Sequence, residues 1–232
     1  MNRRDFLASL AIPATLLGAK EIACDVAIIG GGVGGCAAAL GALRNGMRVV
    51  MTEETDWIGG QLTSQAVPPD EHPWIEMFGA TAAYRTYRQG VRDFYRRHYP
   101  LTSEARARSY LNPGDGGVSK ITHEPRVSLA VLQNLLAPHA SSGRLVVLLR
   151  HVPTAADVQG DRIRAVTVKS LESGATRTIA APYVIDATEQ GDLLPLARVE
   201  YVTGFESRKQ TGELHAPAEA QPANIQIGRA HV

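Results

Sequence analysis

Short, continuously apolar runs alternate with glycine-rich or polar punctuation along this chain. The first run is DVAII, residues 25–29, and GGGVGG follows at once. An apolar run bounded by turn residues reads as a strand buried on both faces. Residues Gly34 to Asn45 are alanine-rich and predict a helix, ended by Gly46 as a C-terminal capping glycine. RVVMT, residues 48–52, is a second strand closed by Glu53, so the start of the chain reads as a βαβ unit. Further on, YRTYRQGVRDFYRRHY has helical spacing. Tyr84, Tyr87, Val91, Phe94, Tyr95 and His98 share one face, and Arg85, Arg88, Arg92 and Arg96 another. The favoured reading is a core stripe with a solvated face; the alternative is an anion clamp. THEPRVSLAVLQNLLAPH is a helix beginning at Pro125, with Val127, Leu129, Val131, Leu132, Leu135 and Leu136 apolar. RLVVLLRHV reads as one strand. The stretch after it turns at Gln159-Gly160-Asp161 and at Glu172-Ser173-Gly174, which predicts an antiparallel meander. YVIDATEQGDLLPLA returns as a buried strand and turn.

Composition adds bounds rather than direction. The 232 residues are 44% hydrophobic and 20% charged, with a net charge of +1. That is enough for one sizeable core or two small ones, and the mixed charge gives no reason to expect nucleic acid or a polybasic membrane surface. Cys24 and Cys36 form neither a metal pattern nor a CxxC pair, and Cys36, among alanines, reads as a small buried apolar residue.

Both ends carry signals of another kind. MNRRDFLASLAIPATLLGA places Arg3-Arg4 before a mildly apolar stretch and reads as a twin-arginine export signal, with cleavage near Ala19. The stretch is too short and too weakly apolar for a stable membrane anchor. Glu21 and the strand close behind Cys24 argue against a lipoprotein site. The expected partner is the twin-arginine export machinery and the expected location periplasmic, or otherwise outside the cytoplasm. The last six residues, IGRAHV, are the translation of a common sequencing adapter. The expectation is a natural sequence read only to about Gln226, the N-terminal piece of a larger protein.

The glycine segment is the chemical signal. Gly30, Gly32 and Gly35 satisfy G-x-G-x-x-G between a strand and a helix. The first allows the tight turn, the second a close approach of backbone to a pyrophosphate, the third close packing of helix on strand. Gly30, Gly32, Val33, Gly34 and Gly35 are therefore candidate cofactor contacts. The helix N-terminus supplies N–H groups and a favourable dipole for the phosphates. Glu53 stands 18 residues after the third glycine. A carboxylate there accepts hydrogen bonds from ribose hydroxyls and disfavours a 2′-phosphate, which points to FAD or NAD rather than NADP. Glu54, beside it, is a further candidate.

A second Gly-Gly, Gly59-Gly60, follows in TDWIGGQLTS, where a plain NAD domain would start its next helix. On these residues the chain resembles the bacterial FAD-dependent oxidoreductases of the glutathione-reductase/fumarate-reductase flavoprotein superfamily, over residues 25 to about 226. The resemblance implies FAD as cofactor, with Gly59, Gly60, Gln61, Thr63 and Ser64 along the flavin. It implies Arg126 near the cofactor and Val152 near the adenine. It also implies that Ala187, Thr188 and Asp192 close the site. Many relatives read Ala-Thr-Gly where this chain has Ala187-Thr188-Glu189, so the turn there is expected to differ.

Flavin chemistry needs the protein for orientation and proton transfer. The loop VPPDEHPW, residues 67–74, offers His72 first and then Asp70 and Glu71 as candidate catalytic acid/base residues; the same composition suits a polar surface turn. His123 is a weaker candidate. The expected fold class is α/β, a Rossmann-like FAD-binding domain with a parallel sheet, an antiparallel β-meander and an incomplete substrate domain. Its segments are 1–24 signal and linker, 25–56 βαβ unit, 57–124 inserted region bordering the flavin, 125–195 remainder of the FAD domain, and 196–226 start of the substrate domain, with 227–232 artefact. The expected function is hydride transfer between a small organic substrate and FAD, with an unknown electron acceptor. The alternatives are an NAD-dependent dehydrogenase and a cofactor-binding fragment without a complete catalytic site.

Overall fold

Strand β2 (Val26–Ile29) is buried on both faces, and the reason is visible in what each alternate side chain touches. The computed structural model describes residues 21–224; the export-signal and adapter stretches lie outside the described residues, apart from Glu21 to Cys24. In the parallel sheet β3 (Val49–Glu53) and β8 (Tyr183–Asp186) flank β2, and β4 (Leu145–Leu149) lies beyond β3, giving the order β4-β3-β2-β8. Val26, Ile28, Val49, Met51, Leu145 and Val147 point toward helices α1 (Val33–Arg44), α2 (Ala82–His98) and α4 (Pro125–Ser141). Ala27, Ile29, Val50, Val146 and Leu148 point the other way, onto a second sheet. A strand between two apolar layers has no solvent face, so its sequence does not alternate. A short helix, α3 (Ser103–Ala107), follows α2.

The second sheet is the meander β5 (His151–Gln159), β6 (Arg162–Ser170) and β7 (Thr176–Ala180), with β1 (Glu21–Ala23) added parallel to β7. The expected α/β class with parallel sheet and meander is what the chain adopts. Three local differences from the sequence reading have physical causes. Residues 21–24 are part of the fold, because Ile22 and Cys24 fill the space between the sheets, each at most 5% exposed. RLVVLLRHV is two strands in different sheets, broken at Arg150, whose φ of 56° is left-handed. Strand β8 is not buried: it is the edge of its sheet, and Tyr183 and Ile185 are 64% and 37% exposed. A short helix, α5 (Leu193–Leu196), follows it.

The described residues fall into two compact units, one ending at Ala197 and one beginning at Arg198. The second is irregular. Phe205 and Gln221 exchange backbone hydrogen bonds of 3.2 and 2.8 Å around the short helix α6 (Arg208–Thr211). No helix among the described residues is long and apolar enough to cross a membrane.

Helix α2 departs most from expectation. Its apolar stripe is in the core, with Tyr87, Val91 and Tyr95 buried. Its basic face is only partly solvated: Arg85 is exposed, but Arg88 and Arg92 are 3% and 4% exposed. Arg88 pairs with Glu71 and Glu76, and Arg92 pairs with Glu76 while donating from Nε to the Leu111 carbonyl at 3.0 Å. The Tyr84 hydroxyl donates to Glu71 Oε1 at 2.6 Å. The carboxylates arrive from the 67–79 loop, so the arginines read from one helix alone as solvent-facing are sealed by the irregular segment that precedes it, 12 to 17 residues before them in sequence. Removing one partner strands a buried charge. Arg88→Ala is expected to lose about 3–5 kcal/mol in urea unfolding, whereas the exposed Arg85→Ala changes stability by less than about 0.5 kcal/mol.

Candidate functional site

Where β2 ends, three backbone segments converge. Gly30 has φ 105°, and a Cβ there would lie 2.1 Å from the Ala187 carbonyl oxygen. A Cβ on Gly35 would lie 2.0 Å from the Gly30 carbonyl oxygen. The turn, the start of α1 and the end of β8 are thus in contact through bare backbone. The Ala187 N–H donates to the Ile29 carbonyl at 2.7 Å, and the Gly59 N–H donates to the Gly31 carbonyl at 2.8 Å, which ties the second glycine segment to the first. The Gly30 N–H donates to Thr52 Oγ1 at 3.1 Å. Helix α1 begins at Gly32 with no side-chain cap and no acid in its first turn, leaving its leading N–H groups for another acceptor.

Around this turn lies a cavity of about 400 Å³, within the roughly 300–1,000 Å³ of small-molecule sites. Of the residues singled out from sequence, Gly30, Gly32, Glu53, Glu54, Gly60, Ser64, Val152, Ala187, Thr188 and Asp192 line it. A second cavity of about 320 Å³ is lined by Gly32, Val33, Gly34, Gln61, Ala187, Thr188 and Glu189. Gly35 and Gly59 serve the packing, and Thr63 is buried, donating from Oγ1 to the Ile58 carbonyl at 2.7 Å. Arg126 lines neither cavity; its side chain is 78% exposed and lies 3.6 Å from Glu124.

Glu53 is 5% exposed and fixed on both oxygens. Oε2 accepts from the Gly31 N–H at 3.2 Å, and Oε1 accepts from the Thr55 N–H and hydroxyl at 2.8 and 2.7 Å. A side chain at Gly31 would meet Glu53 at 2.9 Å. Beside them Cys36 donates from Sγ to the Gly31 carbonyl at 3.3 Å, and burial pushes its thiol up to about 12, so it stays protonated and inert. Cys24 is likewise buried and pushed up to about 11.

Sequence reasoning missed several members of the cavity: Gly31, Thr52, Thr55, Gln65, His151, Pro153 and Gln190. His151 reaches it because Arg150 turns the chain between sheets, and its Nδ1 bonds the Leu149 carbonyl at 2.7 Å. Asp186 organises the far wall: Oδ1 accepts from the Thr188 N–H and hydroxyl at 3.0 and 2.7 Å, Oδ2 from the Leu193 N–H at 3.0 Å. The sequence signal for it was Asp-Ala-Thr with a second aspartate following, the pattern of a side chain bonding its own turn. The turn also resolves the Ala-Thr-Glu departure. Glu189 does not take positive φ; Gly191, two residues on, does, at 71°.

The candidate acid/base groups lie elsewhere. Glu71 is in the buried ion-pair cluster, with Oε2 unpartnered. Asp70 is exposed. The Trp74 N–H donates to His72 Nδ1 at 3.2 Å, and the His72 ring stacks with Phe78 at 5.9 Å. His123 is held by the Ile121 carbonyl at 2.6 Å on Nδ1 and by the Tyr87 hydroxyl at 3.1 Å on Nε2. None of the four lines either cavity.

Between Glu53 and Ala82 the chain forms only a 3-10 turn, Gly60–Leu62, so the early second helix of an NAD domain is absent from this stretch. Residues 25–230 match the protein family described as FAD dependent oxidoreductase. No curated protein sequence matches the chain. Solved structures similar to it include L-proline dehydrogenase from P. horikoshii, at 20% identity, TM-score 0.37, over 73% of this chain and 23% of that one. Another is glycerol-3-phosphate dehydrogenase from Bacillus halodurans complexed with FAD, at 16% identity, TM-score 0.49, over 78% of this chain and 38% of that one. A third is THI4 from Thermovibrio ammonificans, at 17% identity, TM-score 0.46, over 89% and 78%. The chain therefore spans less than half the length of both dehydrogenases.

Two outcomes follow from this geometry. Gly35→Ala pushes α1 off the turn and is expected to cost about 1–3 kcal/mol by thermal unfolding. Gly41→Ala, on the same helix with nothing within 4 Å of its Cβ position, is expected to gain roughly 0.5–1 kcal/mol. Burial also holds His123 below the ordinary imidazole value of 6.5. The unfolded chain then binds more protons as pH falls below about 6.5, so stability is full above that value and is lost as pH drops through the folded pKa. Urea midpoints measured from pH 7.5 to 5 should fall, and fall less steeply in His123→Gln.

Proposed function

Because the chain belongs to the family of FAD dependent oxidoreductases, with FAD as its cofactor, we propose that its glycine turn and Glu53 hold the ADP half of FAD for an exported enzyme that oxidises or reduces a small organic substrate. The observation that carries this reading is the pairing of the bare-backbone turn at Gly30 with a fixed, buried carboxylate at Glu53 on one cavity. The open N–H groups of α1 suit a diphosphate. Glu53, oriented by Gly31 and Thr55, presents remaining lone pairs to ribose hydroxyls, and its charge disfavours a 2′-phosphate. Val152 and His151 border the adenosine end; Gly60 and Ser64, with Gln61 on the second cavity, lead toward the flavin. When bound, FAD supplies hydride acceptance and donation; the protein supplies orientation and exclusion of water.

His72 is the acid/base group this reading favours, with Asp70 second. Glu71 fits less well, since its carboxylate is committed to Arg88 and Tyr84. Export rests on the Arg3-Arg4 stretch, and the twin-arginine route suits a protein carried folded around its cofactor.

The test is an absorption spectrum of the purified protein with and without added FAD, beside Glu53→Gln. Flavin bands that co-purify, with the variant about ten- to hundredfold weaker in FAD affinity, are the expected result, since a hydrogen bond to a charged group contributes about 1.5–3 kcal/mol. A folded protein that binds no flavin overturns the proposal.

A further inference from the structure

The two cavities share the walls Gly32, Ala187, Thr188 and Glu189, and of these only Glu189 carries a charge. Its Oε1 lies 2.9 Å from the point where a Cβ would stand on Gly32, and 2.9 Å from the same point on Gly60. One carboxylate oxygen thus fills the notch between the two glycine segments. Gly32 is the uncapped start of α1, a helix of 12 residues with no acid in its first turn. The carboxylate sits where helix N–H groups and dipole favour an anion. That is also the place the diphosphate takes in the reading above, on which this inference rests.

Two negative groups do not share one such place. We propose that Glu189 is an affinity-setting gate of the dinucleotide site: its carboxylate competes for the anion position at the start of α1 and swings outward before the diphosphate enters. The swing is open to it, because Glu189 is exposed and extends from a turn fixed by other residues. Asp186 and Thr188 hold that turn by their own hydrogen bonds, and Gly191 takes its left-handed position. The gate therefore moves without unmaking the wall. A side chain at Gly32 would meet only this mobile oxygen, whereas one at Gly60, where φ is 48°, would also crowd the Gly32 Cα at 3.1 Å.

The experiment is FAD titration of the full chain, stripped of flavin, by fluorescence quenching and stopped flow. Wild type is compared with Glu189→Gln, which keeps the bulk and removes the charge, and Glu189→Gly, which removes both. At low salt Glu189→Gln is expected to bind FAD about two- to tenfold more tightly and to associate faster, on the scale of a charge at a helix terminus. Glu189→Gly gains at least as much. The difference between wild type and Glu189→Gln narrows in high salt, because screening weakens the competing charge. Equal affinity and association rate for wild type and Glu189→Gln overturn the gate. Weaker binding by Glu189→Gln also overturns it, and makes the residue a ligand rather than a competitor. If wild type and both variants all fail to bind FAD while remaining folded, the cofactor reading itself falls, and the gate with it. That result is distinct from three proteins that bind FAD alike.

Discussion

The close approach of Gly30, Gly35 and Ala187 sets the rest of the structure. A single methyl group at position 30 or 35 would have to occupy a carbonyl oxygen of another segment, at about 2 Å. The contact fixes three elements at once: the end of β2, the start of α1 and the exit from β8. With those fixed, the α1 N-terminus points across the ends of the parallel strands, where open α/β sheets place their ligands. Glu53 then enters the same space from the end of β3, two hydrogen-bonded strands from β8. The cavity follows from strand order and backbone proximity, with few side chains needed to shape it.

This explains which parts of the chain were legible in advance. Glycine spacing, the strand before it and the acid after it are local signals of a backbone arrangement, so the βαβ unit and the cavity's first wall could be read directly. The meander was legible from its turns. Arg88 and Arg92 were not, because burial of a charge depends on who arrives to pair with it. Glu71 and Glu76 come from an irregular loop with no periodicity to announce its course. His151 was missed for a related reason. RLVVLLRHV has the composition of one strand, and the left-handed residue that splits it is an arginine, a residue type that gives no warning of positive φ. The edge position of β8 depends on sheet order, which lies beyond any local pattern.

The same division separates site from scaffold. Of the residues singled out by the glycine pattern, Gly30, Gly32, Val33, Gly34 and Gly60 line one or other cavity and Gly35 and Gly59 pack the segments together, while the polar loop at 67–74 packs its carboxylate against α2 and its histidine against Phe78. A polar residue in a proline-bounded loop has many possible neighbours, whereas a glycine that must touch backbone has few. Steric necessity is therefore the stronger predictor of place, and titratable chemistry the weaker one.

Two carboxylates in one region make the point about chemistry. Glu53 is buried and carries three hydrogen bonds from Gly31 and Thr55. Its position is part of the fold, so it can discriminate between ligands without moving. Glu189 is exposed, rises from a turn whose own bonds do not involve its carboxylate, and lies across two glycines that leave it room. Its position is a matter of side-chain rotation, so it can yield. Charge and residue type are identical in the two cases. What suits one to the recognition and the other to the competition proposed for them is how firmly the surrounding backbone holds each, and that difference arises from the turns that carry them.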